Sequence, residues 1–138
     1  MKSLTINHYA VWGAYFLQQG VDLAWYGVFR NKWMQLLAKQ AIEFEGTSAF
    51  AYVISLLGGI ASCYVTAWIF QKLQIDTAWN GILVAALLWL GYTFFSLAQT
   101  DLFALRPIQL SLINGGGILA NAVVCGAMLG AWKKYETN

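Results

Sequence analysis

The chain has 138 residues, 59% hydrophobic and 10% charged, with a net charge of +2 at pH 7. Soluble domains carry roughly 25% charged residues, so a water-exposed fold of this length would lack the polar surface to cover itself. The small net charge, with no basic run, gives no reason to expect a nucleic-acid partner.

Four apolar stretches, residues 4–29, 48–71, 78–99 and 108–132, take up most of the chain. A membrane span needs about 20 mostly apolar residues at 1.5 Å rise each. Lipid cannot hydrogen-bond the backbone, so each stretch must close its own N–H···O=C bonds as a helix. The expected architecture is an all-α membrane protein: four transmembrane helices in one bundle, forming a single domain over residues 1–138. An even number of spans puts both termini on one side. Lys and Arg divide evenly between the two sides, so charge bias assigns no orientation.

In the first stretch His8, Gln18, Gln19 and Asp22 interrupt the apolar run, and no small-x-small cleavage site follows, so it reads as a retained helix rather than a signal peptide. No lipidation motif is present. Charge returns at Arg30, Asn31 and Lys32, where this helix is expected to end. In the connection that follows, Trp33, Met34, Leu37, Ala41 and Phe44 recur at helical spacing. That pattern predicts a short amphipathic helix, either interfacial or packed on the helix ends. Thr47 or Ser48 suits the cap of the second helix, and Asp76 or Thr77 that of the third. Pro107 fits the first turn of the fourth, which stops at Lys133 and Lys134.

Aromatic residues mark both expected membrane faces. Tyr9, Trp12, Trp68, Trp79, Trp132 and Tyr135 fall on the terminal side, and Trp25, Tyr26, Trp33, Tyr52 and Phe103 on the other. They read as headgroup-level belts. Small residues recur at helical spacing as Gly13, Gly20 and Gly27, as Ser55, Gly59 and Cys63, and as Ala122, Gly126 and Gly130. Such rows let helices approach closely, within one chain or between protomers. The triplet Gly115-Gly116-Gly117 reads either as close helix contact or as a hinge exposing backbone carbonyls. Cys63 and Cys125, at similar expected depth, read as small packing residues.

Asp22 is the one carboxylate inside an expected span. A charged aspartate at the bilayer centre costs about 2.5–3.5 kcal/mol, so it should face protein or water. Gln18, Gln19 and Tyr26 share its helix face. Threading the helices up and down brings Ser55, Thr93, Ser96 and Asn114 to similar depth, with Arg106 at the mouth as a candidate partner for Asp22 or Asp101. Asn121, seven residues after Asn114, extends the polar track. The expected site is a polar pocket for a small solute or ion formed by Asp22, Gln18, Gln19, Tyr26, Ser55, Ser96, Arg106 and Asn114. The alternative role of Asp22 is interhelical glue, satisfied by Arg106, Asn114 and the glutamine amides. No HExxH, GxSxG or phosphate-binding loop occurs, no metal or cofactor is expected, and an intramembrane enzyme using Asp22, which lacks an evident second catalytic group, ranks third among the readings.

The runs Leu23-Ala24-Trp25-Tyr26-Gly27, Lys32-Trp33-Met34, Leu87-Leu88-Trp89-Leu90-Gly91-Tyr92, Phe103-Ala104-Leu105-Arg106-Pro107 and Leu112-Ile113-Asn114-Gly115 carry a resemblance. In order and spacing they resemble the bacterial four-helix membrane family called domain of unknown function 1761, over nearly the whole chain. The resemblance implies a fold and a bacterial cytoplasmic membrane location, but no activity. Where family members carry a histidine shortly after the asparagine, this chain reads Gly115-Gly116-Gly117-Ile118, so no role for that histidine carries over. Function is therefore expected to be binding or passage of a small solute or ion, with homo-oligomerisation completing a pathway. The competing class is a structural or accessory subunit of larger membrane assemblies.

Overall fold

The computed structural model describes residues 2–38 and 48–137. The first stretch does not begin as a helix. Lys2–Thr5 forms strand β1, paired antiparallel with a second strand, β2, at Lys134–Thr137, with Leu4 opposite Tyr135. Asn7 sets the start of α1 (His8–Leu36) by accepting from the Tyr9 and Ala10 N–H groups, at 3.2 and 3.4 Å. These are donors the first helical turn leaves open. Helix α1 also runs past its expected end. Arg30, Asn31 and Lys32 are exposed, and long basic side chains are good helix formers, so charge alone does not stop it. It closes with Ala38 in the left-handed region at φ 51°, whose N–H reaches the Gln35 carbonyl at 3.0 Å. Trp33 and Met34 thus belong to the last turns of α1, with Leu37 as its cap, and are not part of a separate amphipathic helix. Ala41 and Phe44, the rest of that expected pattern, and Thr47, the alternative cap of the second helix, lie outside the described residues.

Helix α2 (Ala49–Leu73) is capped by Ser48, which accepts from the Phe50 N–H. It ends at left-handed Gln74, where the Ile75 N–H returns to the Phe70 carbonyl at 2.9 Å. Thr77 caps α3 (Ala78–Leu88) through the Asn80 N–H. A π-helical segment, Trp89–Phe94, follows, and the rod continues as α4 (Phe95–Phe103), past the end expected at residue 99. Pro107 precedes α5 (Ile108–Ala131) as its N-cap.

Helix α5 is the axis of the fold, packed along both α1 and α3. A Cβ added at Gly126 would lie 2.5 Å from the Gly81 carbonyl oxygen. A Cβ at Gly81 would strike the Gly126 oxygen, and one at Gly130 would strike the Thr77 oxygen. The Gly126 and Gly130 row therefore packs inside the chain, backbone against backbone. The glycine triplet does not unwind α5. Gly115 faces the Phe94 ring, and Gly116 and Gly117 face the Trp25 indole, so the triplet makes room for aromatic rings. In the Gly13, Gly20 and Gly27 row, a Cβ at Gly13 would meet Met128 and Trp132, whereas among the described residues one at Gly20 or Gly27 would meet nothing within 4 Å.

The core lies toward the terminal strands and joins Ala10, Val11, Ala14 and Tyr15 of α1 to Cys63, Ala67 and Phe70 of α2 and to Cys125 and Leu129 of α5. Away from that end α2 loses its neighbours, and Phe50 through Leu57 are exposed. Three rods, Ala49–Leu73, Ala78–Phe103 and Ile108–Ala131, are long and apolar enough to cross a membrane. With Leu87 and Phe95 also exposed, this is consistent with an integral membrane protein. Helix α1, at 29 residues, has the length but not the hydropathy, because it carries the polar stripe.

Candidate functional site

Gln18, Gln19 and Asp22 occupy adjacent positions on one face of α1 because helical residues three and four apart are neighbours. They look into a cavity of about 770 Å³ between α1, α2, the α3–π segment and α5. Its existence follows from the packing: glycines hold α3 tightly to α5, while the first half of α2 stands clear of both. Helix α2 contributes Ser55, Ser62 and Thr66; the π segment contributes Trp89, Tyr92 and Thr93; α5 contributes Asn121 and Cys125. The π segment falls at this wall, where its extra residue per turn re-aims the side chains.

A hydrogen-bonded chain runs along the wall. Asn121 Nδ2 donates to Asp22 Oδ1 at 2.7 Å. Gln18 Nε2 donates to the Asn121 carbonyl at 3.2 Å, and its Oε1 accepts from Cys63 Sγ at 3.1 Å. Cys125 Sγ lies 3.7 Å from Cys63 Sγ, so the two thiols share depth and are in contact. A carboxylate can only accept, so it takes the amide nitrogen of Asn121 and turns Asn121 Oδ1 away. That oxygen is buried and has no protein partner. The Ser62 and Thr66 hydroxyls donate to carbonyls of their own helix, those of Gly59 and Ser62, both at 2.8 Å.

The other expected site residues fall elsewhere. Tyr26 Oη donates to Asn114 Oδ1 at 3.1 Å, and Trp33 Nε1 donates to the same oxygen at 2.9 Å. Asn114 thereby ties two residues of α1, seven apart on one face near its end, to α5. Arg106 faces Asp101 at 3.5 Å and does not reach Asp22. Ser96 is exposed, and its carbonyl accepts the Thr100 hydroxyl. Two tryptophan indoles donate to α5 carbonyls at 2.9 Å: Trp25 to Ile113 and Trp89 to Gly115. Trp25, Tyr26 and Trp33 therefore tie helices together rather than forming a belt, whereas Tyr9, Trp79, Tyr52 and Phe103 are exposed as a belt requires.

Ser62, Thr66, Trp89 and Cys125 were not anticipated on the cavity wall. The α2 residues were readable from spacing, since Ser62 and Thr66 follow Ser55 by seven and eleven residues on one helix face. Contact between Cys63 and Cys125 needed the helix packing. It makes a test of the fold: copper–phenanthroline oxidation should join the two thiols into an intramolecular disulfide and slow thiol alkylation. Cys63→Ser or Cys125→Ser should abolish the cross-link. A wild-type protein that stays fully alkylatable under oxidation would show that α2 and α5 do not meet here.

No curated protein and no solved structure matches the chain. The model of one family, a protein of unknown function termed DUF1761, matches residues 9–130, from the start of α1 almost to the end of α5. The glycine contacts, the aromatic ties and the cavity all lie within those residues, and the chain belongs to this DUF1761 family.

Proposed function

We propose that the chain is a four-span integral membrane protein whose cavity around Asp22 binds, or passes, a small solute or ion. The observation that carries the reading is the cavity itself. At about 770 Å³ it falls in the roughly 300–1,000 Å³ range of small-molecule sites, and polar groups from α1, α2, the π segment and α5 converge on it. Helix α1 serves as the fourth span, with its polar stripe turned to the cavity and its apolar residues Leu23 and Val28 turned outward. Pairing of β1 with β2 supports termini on one membrane side, closing the helices into a bundle.

A second reading, a structural or accessory subunit, rests on Gly20 and Gly27 of α1, which present a small-residue face with none of the described residues within 4 Å of an added Cβ. The same face would serve self-association into an oligomer.

The test is thermal unfolding of the purified protein in detergent against a panel of solutes, for wild type and Gly58→Leu. Gly58 lines the cavity, and a Cβ there meets nothing within 4 Å, so leucine fills space without a backbone clash. A bound solute at a hundred times its Kd should stabilise wild type by about 2.7 kcal/mol, and the filled variant should show no shift. Equal shifts in both proteins, or none in wild type, would overturn the cavity reading. Loss of a partner or oligomer on Gly20→Leu would favour the accessory one.

A further inference from the structure

We propose that the cavity selects an amphipathic organic cation, a protonated amine carried on an apolar or aromatic body. The inference rests on the binding reading above and names its ligand class.

Charge gives the first argument. Among the described residues Asp22 is the one charged side chain on the cavity wall, and no lysine, arginine or histidine lines it. An anion would meet a carboxylate in a low-dielectric site with nothing to balance it.

Hydrogen-bond sense gives the second. Amide and indole donors at the wall are engaged within the protein: Gln18 Nε2 donates one of its two hydrogens to the Asn121 carbonyl, Asn121 Nδ2 one of its two to Asp22, and Trp89 Nε1 its single hydrogen to the Gly115 carbonyl. The Ser62 and Thr66 hydrogens are spent on their own helix, leaving their oxygens to accept. Asn121 Oδ1 is a buried acceptor with no partner, on the same side chain that orients Asp22. Gln19, Ser55 and Thr93 can act in either sense. A ligand that brings N–H donors and positive charge meets the Asp22 carboxylate and these acceptors, whereas one that brings only acceptors leaves them unmet.

Size and surroundings give the third. The cavity is far larger than a bare metal ion needs, and among the described residues no group of three His, Cys, Asp or Glu side chains is placed to hold one. The remainder of the wall is apolar or aromatic, with Val65, Ile69, Leu88 and Ile118 beside Trp89 and Tyr92. Those groups suit a hydrocarbon body, and aromatic faces attract an ammonium head.

The experiment uses three probes of one shape: phenethylamine, phenethyl alcohol and phenylacetate. Each is titrated at neutral pH into the purified full-length protein in detergent, with Kd read by calorimetry. The amine is expected to bind roughly 10- to 100-fold tighter than the alcohol, the range for a hydrogen bond to a charged group, with phenylacetate weakest. Asp22→Asn keeps the side-chain shape and should bring amine and alcohol to equal affinity, while Gly58→Leu should abolish binding of both. Equal binding of amine and alcohol by wild type would overturn the cation class while leaving the cavity reading intact. Tighter phenylacetate binding would do the same. Binding of none of the three, or binding that Gly58→Leu leaves unchanged, would overturn both. The wild-type series decides the matter even if Asp22→Asn does not fold.

Discussion

Gly126→Ala should lower the stability of the folded protein in detergent by about 2 kcal/mol or more. The new Cβ would lie 2.5 Å from the Gly81 carbonyl oxygen and 2.9 Å from Ala85 Cβ. Overpacking costs about 1–3 kcal/mol when side chains can shift. Here the closest neighbour is backbone of α3, held by its own helical hydrogen bonds, so relief requires α3 and α5 to move apart. Alanine returns about 1 kcal/mol of helix propensity, which reduces the loss without cancelling it. Gly81→Ala should behave alike, because its Cβ would meet the Gly126 oxygen. Gly20→Ala is the control: nothing lies within 4 Å of that position, so it should be neutral or stabilising by up to about 1 kcal/mol. Denaturant titration in detergent measures all three. A Gly126→Ala protein as stable as wild type would mean that α3 and α5 do not pack backbone to backbone.

The second large effect belongs to Asp101, which sits near the end of α4 and is buried, at 3% exposure. Its Oδ2 accepts from the Ser111 hydroxyl at 2.8 Å, tying the end of α4 to the first turn of α5. Ser111 is fully buried, so Asp101→Ala removes a charge-assisted bond and leaves a hydroxyl in the interior without that acceptor. A hydrogen bond to a charged group contributes about 1.5–3 kcal/mol, and Asp101→Ala should cost about that much. Arg106 is the wrong residue to credit. Its side chain is 54% exposed and 3.5 Å from the carboxylate, and exposed ion pairs contribute about 0–1 kcal/mol. Arg106→Ala should therefore move stability far less than Asp101→Ala. A double-mutant cycle between Asp101→Ala and Ser111→Ala should show coupling of at least about 0.5 kcal/mol. Additive losses would remove the tie from the account of the loop.

Legibility in the sequence tracked how local each interaction is. The caps were narrowed to Thr47 or Ser48 and to Asp76 or Thr77, of which Ser48 and Thr77 serve, because a cap bonds N–H groups two or three residues on. The polar face of Gln18, Gln19 and Asp22 was readable because helical neighbours lie three and four residues apart. The start of α1 was misplaced because β1 is held by β2, over a hundred residues away in the chain. The end of α1 was misplaced because a change in charge is a weak stop signal beside a helix-forming sequence and the Trp33 bond to Asn114. Arg106 and Ser96 were placed by expected depth alone, and depth along a helix does not determine the face a side chain occupies: Arg106 meets Asp101, and Ser96 is exposed.

The sequence by itself determined the helical rods, the apolar composition that suits a membrane, the family and the polar stripe of α1. All of these follow from residue type and from spacing within a single helix. The tertiary structure alone decided that α5 is the axis, that Asn121 rather than Arg106 meets Asp22, and that Cys63 touches Cys125. It also decided that α2 stands away from α3 and leaves a cavity. The physical reason is that dispersion between close-packed helices depends on whether two surfaces fit at van der Waals distance. Gly81 against Gly126 and Trp25 against Gly116 are fits between residues distant in the chain, and they set every helix face that remained free to line the site.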